Sequence, residues 1–276
     1  MIGAFIGDCA GSAYEFTKNK DPLVDLMPKQ AVFTDDTVCT SAIAQWLLSG
    51  QSDPASFLLS MGRQHLPRGF GAKFIAWLKS DAPLPYGSWG NGSAMRASPV
   101  ALWALDDAEA RALAAASAAP THGHPDAVAG AQALVLSIRW AMSGMALDDI
   151  LDRVEREFGY EGLSARDPEA ERATHKFDVS CSGTVPLALA CCARGGSFEG
   201  AIRLCVSMGG DADTLAAIAG PVAEALWGVP EELFEKAAMR SHPEDRALEP
   251  ILAIYGHPRV RGRINAGGVG RPLRWV

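Results

Sequence analysis

The sequence has no long apolar run and almost no stretch in which apolar and polar residues alternate. No uninterrupted apolar segment approaches the about 18 residues of a transmembrane helix, so we expect no membrane partner. The scarcity of alternation with a period of two argues against antiparallel sheets that bury one face. No basic segment precedes an apolar one at the N-terminus, so we expect no secretory signal and a cytoplasmic location.

Positive charge is also scarce, since the formal net charge is -7 and the isoelectric point is about 5.4. This balance argues against a broad basic face of the kind that binds nucleic acid, so we expect no stable nucleic-acid partner. A small polyanionic ligand is still compatible with the composition, because bound cations can reverse the local sign of the charge.

Familiar metal and nucleotide motifs are missing as well. The chain has six cysteines, and none forms a CxxC or CxxH pair, which argues against a structural zinc site. We expect reduced, mostly buried thiols, and Cys181 has no identifiable base partner that would make it a nucleophile. The chain has neither a Walker sequence nor GxGxxG after a strand, so a P-loop and a Rossmann unit are not predicted.

The chain does have helical periodicity over most of its 276 residues, of which 48% are hydrophobic. Apolar residues recur at helical spacing from residue 2 to residue 13, which predicts a first helix that begins almost at the first residue. Within this segment, Gly3, Gly7 and Gly11 repeat every four residues and predict the close approach of another backbone.

Further helices are predicted over about 36–49, 54–66, 107–119, 125–143, 147–158, 185–194, 198–208, 212–227 and 231–240. Between the first helix and these lies a loop rich in Lys, Asp and Pro that ends near Phe33. We expect Pro221 to kink the helix over 212–227 or to begin a new segment there, because proline lacks the backbone N–H.

Two short acidic clusters lie far apart in the chain, and each opens a predicted helix. They are Thr34-Asp35-Asp36-Thr37 and Gly209-Gly210-Asp211-Ala212-Asp213-Thr214. Mg²⁺ and Mn²⁺ prefer oxygen ligands, and neighbouring carboxylates repel unless a cation neutralises them. Acids in a first helical turn also favour the helix dipole, and Thr34 can cap its helix, so either cluster alone has a structural explanation. Two clusters of matching composition suggest one cation site built from both ends of the chain.

Two further loops offer candidate ligand contacts. A polar, glycine-rich segment precedes the apolar stretch over 97–105, and it comprises Ser88, Trp89, Gly90, Asn91 and Gly92. Free backbone amides at such a junction suit phosphate, and Trp89 offers a face for stacking, although Asn-Gly is also a common turn pair. His122 lies just before a helix, where it suits contact with phosphate or metal, or a helix cap.

These motifs together resemble the ADP-ribosylglycohydrolase family, which includes the dinitrogenase-reductase-activating glycohydrolases and the ADP-ribosyl-acceptor hydrolases. The resemblance rests on GAFIGDCAGSAYEF at 3–16, FTDDT at 33–37, SWGNGSAMRASP at 88–99, THGHP at 121–125 and SMGGDADT at 207–214. The motifs occur in the family's order, and they cover about residues 1–240 of the chain.

The resemblance implies a compact all-α domain, which we place over residues 1–258, followed by a basic, glycine-rich tail over 259–276. It also implies a dinuclear centre of two Mg²⁺ or Mn²⁺ ions in a cleft. The metal ligands carried over by motif are Thr34, Asp35, Asp36, Asp211, Asp213 and Thr214.

The implied reaction is hydrolysis of the N- or O-glycosidic bond that links ADP-ribose to an acceptor, through a transition state with oxocarbenium character. Glu15 would act as general acid/base or orient the water, with Asp36 and Asp213 beside it at the catalytic centre, and Asp8 would support the metal ligands. The implied ligand contacts are Ser88, Trp89, Gly90, Asn91, Gly92 and His122, with Ser182 and Gly183 closing the far side.

The identity of the acceptor depends on one position that departs from part of the family. Arginine-specific bacterial members carry an aspartate where Ser88 aligns, whereas serine is similar to the branch that acts on O-linked ADP-ribose. The expected partner is therefore ADP-ribose, or a protein, nucleic acid or small molecule that carries it.

Two alternatives to such an enzyme stay open. A non-catalytic relative that binds ADP-ribose or serves as a lens crystallin should have lost metal ligands or Glu15, and this chain keeps all of them. A two-metal hydrolase of a small ADP-ribose derivative would release phosphate, whereas glycosidic cleavage releases intact ADP-ribose.

Overall fold

The computed structural model describes residues 1–240 and 245–261, and the described residues form helices joined by loops, with no strand among them. The helices are α1 (Ile2–Ser12), α2 (Asp35–Ser49), α3 (Pro54–Gln64), α4 (Ala72–Lys79), α5 (Gly92–Met95), α6 (Ser98–Trp103), α7 (Asp107–Ala118), α8 (Pro125–Met142), α9 (Leu147–Phe158), α10 (Pro168–Glu171), α11 (Cys181–Gly195), α12 (Phe198–Met208), α13 (Ala212–Trp227), α14 (Glu231–Ala238) and α15 (Glu249–Gly256). None of the described helices is long and apolar enough to cross a membrane. The predicted all-α class is confirmed.

Helix α13 lies at the centre of the domain, where it packs against α1, α8, α11 and α12. Almost every residue of α13 from Ala212 to Ala225 is buried. Burial on all sides explains why its sequence is apolar around the whole helix rather than along one stripe. The acidic residues at its first turn are therefore held inside the protein and not on its surface.

The glycine repeat of α1 packs directly on the backbone of α13, as predicted. A Cβ on Gly3 would lie 2.2 Å from the carbonyl oxygen of Gly220, and one on Gly7 would lie 2.1 Å from that of Ala216. Both distances are far below van der Waals contact, so only glycine permits this separation of the helices. The close packing fixes the position of α1, and hence of the acidic residues on it and after it, relative to α13.

The order of the predicted helices is confirmed, while three details differ. Helix α11 begins four residues before the predicted start, because the Ser180 side chain caps it by accepting a hydrogen bond from the N–H of Gly183 at 3.0 Å. Helix α13 continues through Pro221, so no new segment begins there, and the alternative expectation of a kink stays a prediction. Packing against neighbouring helices on several sides holds this turn in helical form despite the missing N–H. Helices α4, α5, α6, α10 and α15 were not among the predicted helices.

All six cysteines are free and buried, as expected. Of the predicted tail over 259–276, residues 262–276 lie outside the described residues. Arg259 packs on the domain, where its Nε donates to the carbonyl oxygen of Trp103 at 2.9 Å. The boundary after residue 258 stays a prediction.

Candidate metal centre and ligand cleft

The first acidic cluster is anchored by a buried aspartate of α1. Both oxygens of Asp8 accept hydrogen bonds from the start of α2: the Thr34 N–H donates at 2.9 Å and its hydroxyl at 2.9 Å, and the Thr37 N–H donates at 3.0 Å. The Thr34 side chain in turn accepts from the N–H of Asp36 at 3.3 Å, which makes Thr34 the predicted cap of α2. Asp8 thus fixes the turn that presents Asp35 and Asp36.

The second cluster enters α13 through two glycines in left-handed conformations. Gly209 has φ 64° and Gly210 has φ 72°, which glycine adopts without steric cost. The carbonyl oxygen of Gly210 accepts from the N–H of Phe16 at 3.1 Å, which ties the segment after α1 to the start of α13. The end of α1 also packs directly on the backbone of Asp213, since a Cβ on Gly11 would lie only 2.3 Å from the Cα of Asp213. Glu15 is thereby brought to the second cluster.

The two clusters meet in space and form two groups of three carboxylates that share Asp213. One group is Asp8, Asp36 and Asp213, and the other is Glu15, Asp211 and Asp213; within each group, one oxygen of every carboxylate lies within 4.8 Å of the others. Such spacing suits oxygen coordination of a hard divalent cation. Glu15, which the resemblance placed at the catalytic centre, lies among the carboxylates that could hold a cation.

The side chain of Asp36 indicates that these residues fit a cation. Its Oδ2 accepts a hydrogen bond from the Thr214 hydroxyl at 3.1 Å, while its buried Oδ1 has no hydrogen-bond partner. A buried carboxylate oxygen without a partner is costly unless a proton or a cation compensates it. The donor set of carboxylates and threonine hydroxyls is the one that Mg²⁺ and Mn²⁺ prefer. The residues therefore fit a dinuclear centre.

The electrostatics of the site agree with this fit. Burial raises the pKa of Asp8 to about 6, and burial together with the charge of Asp211 raises the pKa of Glu15 to about 7. Burial is also the main cause that raises the pKa values of Asp36 and Asp213, and neighbouring carboxylates raise them further. A divalent cation removes both effects at once, because it neutralises the repulsion and replaces the lost hydration.

The carboxylates form the floor of a cleft of about 450 Å³, a volume in the range of small-molecule sites. Its floor is lined by Glu15, Asp35, Asp36, Asp211, Asp213 and Thr214, and its walls include Lys73, Tyr86, Ser88, Gly90, Asn91, Gly92, Arg96, His122, Phe177 and Val179. Most of the predicted site residues are thus brought together. Lys73 is exposed and lines the cleft, so the cleft contains a positively charged side chain as well as the acidic floor.

The glycine-rich loop forms one wall and also holds a candidate metal ligand. Asn91 Nδ2 donates to Asp211 Oδ2 at 2.6 Å and to the Thr184 hydroxyl at 3.2 Å. Asn91 is therefore buried beside the second acidic cluster, where it holds the side chain of Asp211. The predicted contact of Asn91 with a ligand would be a second role. The hydroxyl oxygen of Ser88 accepts from the N–H of Gly90 at 3.1 Å, which shapes the turn before α5.

Four of the predicted site residues lie outside the lining of this cleft. The hydroxyl of Thr34 donates to Asp8 and not towards the cleft. The side chain of Trp89 is 51% exposed, so its ring is available to a ligand at the rim. Ser182 is exposed in the first turn of α11, and a Cβ on Gly183 would lie 1.9 Å from Asp178 Oδ2. The roles of all four as metal or substrate contacts stay predictions.

An aromatic pair at the cleft was not predicted. The rings of Phe16 and Phe177 stack at a centroid distance of 5.2 Å and an angle of 16°, and 74% of Phe16 is exposed. Phe16 also adopts φ 59°, which is unusual for a residue other than glycine. Two loops remote in sequence build this pair, so no local pattern could have revealed it.

The fold and the site together define an all-α domain with a carboxylate-lined ligand cleft. The sequence matches the ADP-ribosylglycohydrolase family over residues 1–258, and the chain belongs to this family. It is 26% identical to the ADP-ribosylhydrolase ARH3 of Bos taurus, with 83% of this chain and 84% of the relative covered. It is also 26% identical to the ADP-ribosyl-[dinitrogen reductase] glycohydrolase of Rhodospirillum rubrum, over 93% of this chain and 95% of the relative.

Two other relatives extend the comparison. An ADP-ribosylarginine hydrolase of Pseudomonas putida (strain GB-1) is 25% identical over 90% of this chain and 76% of its own length. A solved ADP-ribosylglycohydrolase-related protein complex superposes with a TM-score of 0.72 at 24% identity, over 92% of this chain and 96% of that chain. This likeness supports the fold, and the family membership and the named relatives support a hydrolase.

Proposed function

We propose that the protein hydrolyses the glycosidic bond between ADP-ribose and an acceptor, with two divalent cations, Mg²⁺ or Mn²⁺, held at the floor of the cleft. Two observations carry the proposal. The first is that two sets of three acidic residues meet at Asp213, and the second is that a buried oxygen of Asp36 has no hydrogen-bond partner. A site kept only for fold stability would gain nothing from this arrangement, because buried, unpaired carboxylates destabilise the folded state.

The residues that would hold the cations are Asp35, Asp36, Asp211, Asp213 and Thr214, with Glu15 within reach of the second group and Thr34 at the cap of α2. When bound, such cations orient hydroxyl groups and water and stabilise negative charge at the reacting centre. Asp8 completes the first group of carboxylates, and because its oxygens also accept hydrogen bonds from Thr34 and Thr37, it would chiefly hold the first cluster in place from behind. This is a supporting role, as the sequence implied.

The walls of the cleft suit an ADP-ribosyl group. Its diphosphate needs hydrogen-bond donors and positive charge, and the walls offer His122, the backbone of the glycine-rich loop and the exposed Lys73. The ribose hydroxyls need acceptors and donors near the acidic floor, where Asn91 and the carboxylates lie. The exposed aromatic faces of Trp89 and of the Phe16–Phe177 pair are available for stacking on adenine.

Glu15 is the residue that we propose to move the proton. It is only partly buried and lines the cleft at the edge of the carboxylate floor, beside Asp211 and Asp213. A carboxylate at this position can accept a proton from the attacking water and return it to the leaving group.

The proposal is tested with purified protein and defined ADP-ribosylated substrates, with serine-, arginine- and nucleotide-linked ADP-ribose assayed separately. Released ADP-ribose and released phosphate are both quantified by mass spectrometry, with Mg²⁺, with Mn²⁺ and after chelation. We expect intact ADP-ribose, cation-dependent turnover and no phosphate. Phosphate release would instead support a two-metal phosphohydrolase. Binding of ADP-ribose without turnover of any substrate would support a non-catalytic family member, and either result would overturn the proposal.

A further inference from the structure

One of the residues in the wall of the cleft is a buried arginine. Arg96 has no exposed surface, and none of the residues that the structure describes forms an ion pair with it. Its Nη2 donates to the carbonyl oxygen of Ser117 at 2.7 Å and to the Thr121 hydroxyl at 2.9 Å. An arginine buried without a carboxylate partner is costly, so its retention at this wall requires a reason beyond packing.

The Thr121 hydroxyl connects this arginine to the cleft. Its oxygen lies 2.7 Å from Nδ1 of His122, and Thr121 itself has no exposed surface, so water does not reach it. His122 is held from its backbone as well, because its N–H donates to the carbonyl oxygen of Ala118 at 2.7 Å. Arg96, Thr121 and His122 therefore form a continuous hydrogen-bonded chain that ends in the lining of the cleft.

The chemistry of the three groups sets the direction of every hydrogen bond in this chain. A guanidinium can only donate, so the Thr121 oxygen accepts from Arg96. The hydroxyl has one proton of its own, and within the described part of the protein the remaining recorded partner of this oxygen is Nδ1 of His122. The buried hydroxyl is satisfied only if it donates to Nδ1, which must then be unprotonated. The ring proton consequently resides on Nε2.

The position of Nε2 shows where this proton points. A Cβ on Gly92 would lie 2.8 Å from Nε2 and one on Gly90 would lie 3.7 Å away, so the nitrogen faces the glycine-rich loop in the wall of the cleft. Burial, reinforced by the charge of Arg96, lowers the pKa of His122 to about 2, so the ring stays neutral at physiological pH. A neutral ring in the other tautomer would present a lone pair to the cleft and repel an anionic oxygen.

We infer that Arg96 and Thr121 are positioning residues that fix His122 as a neutral Nε2–H donor to an anionic oxygen of the ligand. The identification of that oxygen as part of a diphosphate rests on the proposed function, whereas the tautomer itself does not. The buried charge of Arg96 also contributes a positive potential behind the donor, so an anion bound there interacts with both groups.

The tautomer is measured by long-range ¹H–¹⁵N correlation on the ¹⁵N-labelled full chain, which has six histidines. The signals of His122 are assigned by their loss in a His122→Gln variant. We expect two well-separated nitrogen shifts, with the proton on Nε2, and no titration between about pH 5 and pH 8, where unperturbed histidines change charge. A proton on Nδ1, or titration of the ring in this range, would overturn the inference.

Thr121→Val and Thr121→Ser separate positioning from folding. Valine keeps the shape and removes the hydroxyl, so we expect the two nitrogen shifts of His122 to move towards each other as both tautomers become populated. ADP-ribose affinity measured by calorimetry should fall about tenfold, as for one lost hydrogen bond to an anion. Serine retains the hydroxyl and should preserve the tautomer. Unchanged nitrogen shifts of His122 in the valine variant would refute the role of Thr121. If the wild-type protein has the proton on Nε2 of His122 but does not bind ADP-ribose, the proposed function is refuted and the tautomer assignment stands.

Discussion

The hydroxyl of Thr214 donates to Oδ2 of Asp36 at 3.1 Å, although the two residues are 178 positions apart in the chain. This contact joins the first turns of α2 and α13 and brings the two acidic clusters into one site. It leaves Oδ1 of Asp36 without a partner, buried among carboxylates. The contact thus holds Asp36 in an orientation in which one oxygen is fixed and the other is free to bind a cation.

The first prediction concerns Asp36. Replacement of Asp36 by Asn removes one negative charge from the shared floor while it preserves size and the acceptor for Thr214. We expect cation affinity, measured by calorimetry with Mn²⁺, and ADP-ribose release each to fall by more than about 100-fold, since ligand changes exceed the 10–100-fold effects of supporting residues. Asp53→Asn is the matched control, because Asp53 is an exposed cap of α3 and asparagine caps equally well. Equal effects of the two variants would contradict a metal role for Asp36.

A second prediction concerns pH and the stability of chelator-treated protein. The folded-state pKa is raised to about 6 for Asp8 and to about 7 for Glu15, above unfolded values near 4. The folded state therefore holds these protons more tightly, and the stability they contribute is complete below about pH 4 and lost as the pH rises through 6 and 7. We expect the unfolding temperature of the chelated protein to fall by roughly 5–10 °C from pH 5 to pH 7.5.

Added Mg²⁺ should reverse this loss, because a cation that binds only the folded state competes with protons for the same carboxylates. The stabilisation by Mg²⁺ should be larger at pH 7.5 than at pH 5, as measured by thermal unfolding at constant ionic strength with NaCl as the control. Asp36→Asn should show a smaller response to Mg²⁺. A response to Mg²⁺ that does not depend on pH would show that these carboxylates do not hold the cation.

The acidic floor could be predicted from the sequence because each cluster is contiguous and opens a helix. Asp35 and Asp36 follow a threonine cap, and Asp211 and Asp213 follow two glycines, so local signals place both pairs at helix starts. The glycine repeat of α1 likewise predicted a close helix contact, since only backbone approach explains glycine at that spacing. Most helices were predicted for the same reason, as periodicity and capping act over a few residues.

The walls of the cleft could not be predicted in this way. Phe16, Lys73 and Phe177 come from a turn, a short helix and a loop, and only packing of the whole chain brings them to one cleft. The chain from Arg96 through Thr121 to His122 likewise joins the end of α5 to the loop before α8. At Pro221 no new segment begins, because packing within the domain outweighs the local helix-breaking tendency of proline.

A third prediction tests the contact of α1 with α13. Gly7→Ala places a Cβ 2.1 Å from the carbonyl oxygen of Ala216, and backbone atoms cannot move aside as a flexible side chain can. We expect a loss of at least about 1–3 kcal/mol, seen as a fall of several degrees in the unfolding temperature. Gly256→Ala is the control, since nothing lies within 4 Å of a Cβ there, and alanine should be neutral or slightly stabilising. Equal stability of both variants would contradict the close packing.

A fourth prediction concerns the proton-transfer role of Glu15. Glu15→Gln preserves size and polarity but cannot accept a proton, so we expect kcat for ADP-ribose release to fall by about 100- to 10,000-fold. The Kd of ADP-ribose should change far less, because the glutamine still fills the edge of the cleft. Mn²⁺ titration of the same variant shows whether Glu15 also binds a cation, in which case stoichiometry or affinity falls. Turnover within a few-fold of wild type would remove Glu15 from the mechanism, and exposed Glu161→Gln provides the control.

The last prediction concerns the acceptor and rests on Ser88, which lines the cleft near the acidic floor. An arginine-linked substrate carries a positively charged guanidinium, which a nearby carboxylate would attract and orient, whereas a serine-linked substrate carries no such charge. With Ser88 at this position, we expect faster release of ADP-ribose from a serine-linked than from an arginine-linked peptide. Ser88→Asp should move the ratio of the two kcat/KM values towards arginine by about tenfold, which corresponds to 1.4 kcal/mol. Ser88→Asn adds similar bulk without charge and should leave the ratio unmoved. A wild-type preference for arginine, or equal shifts in both variants, would show that Ser88 does not select the linkage.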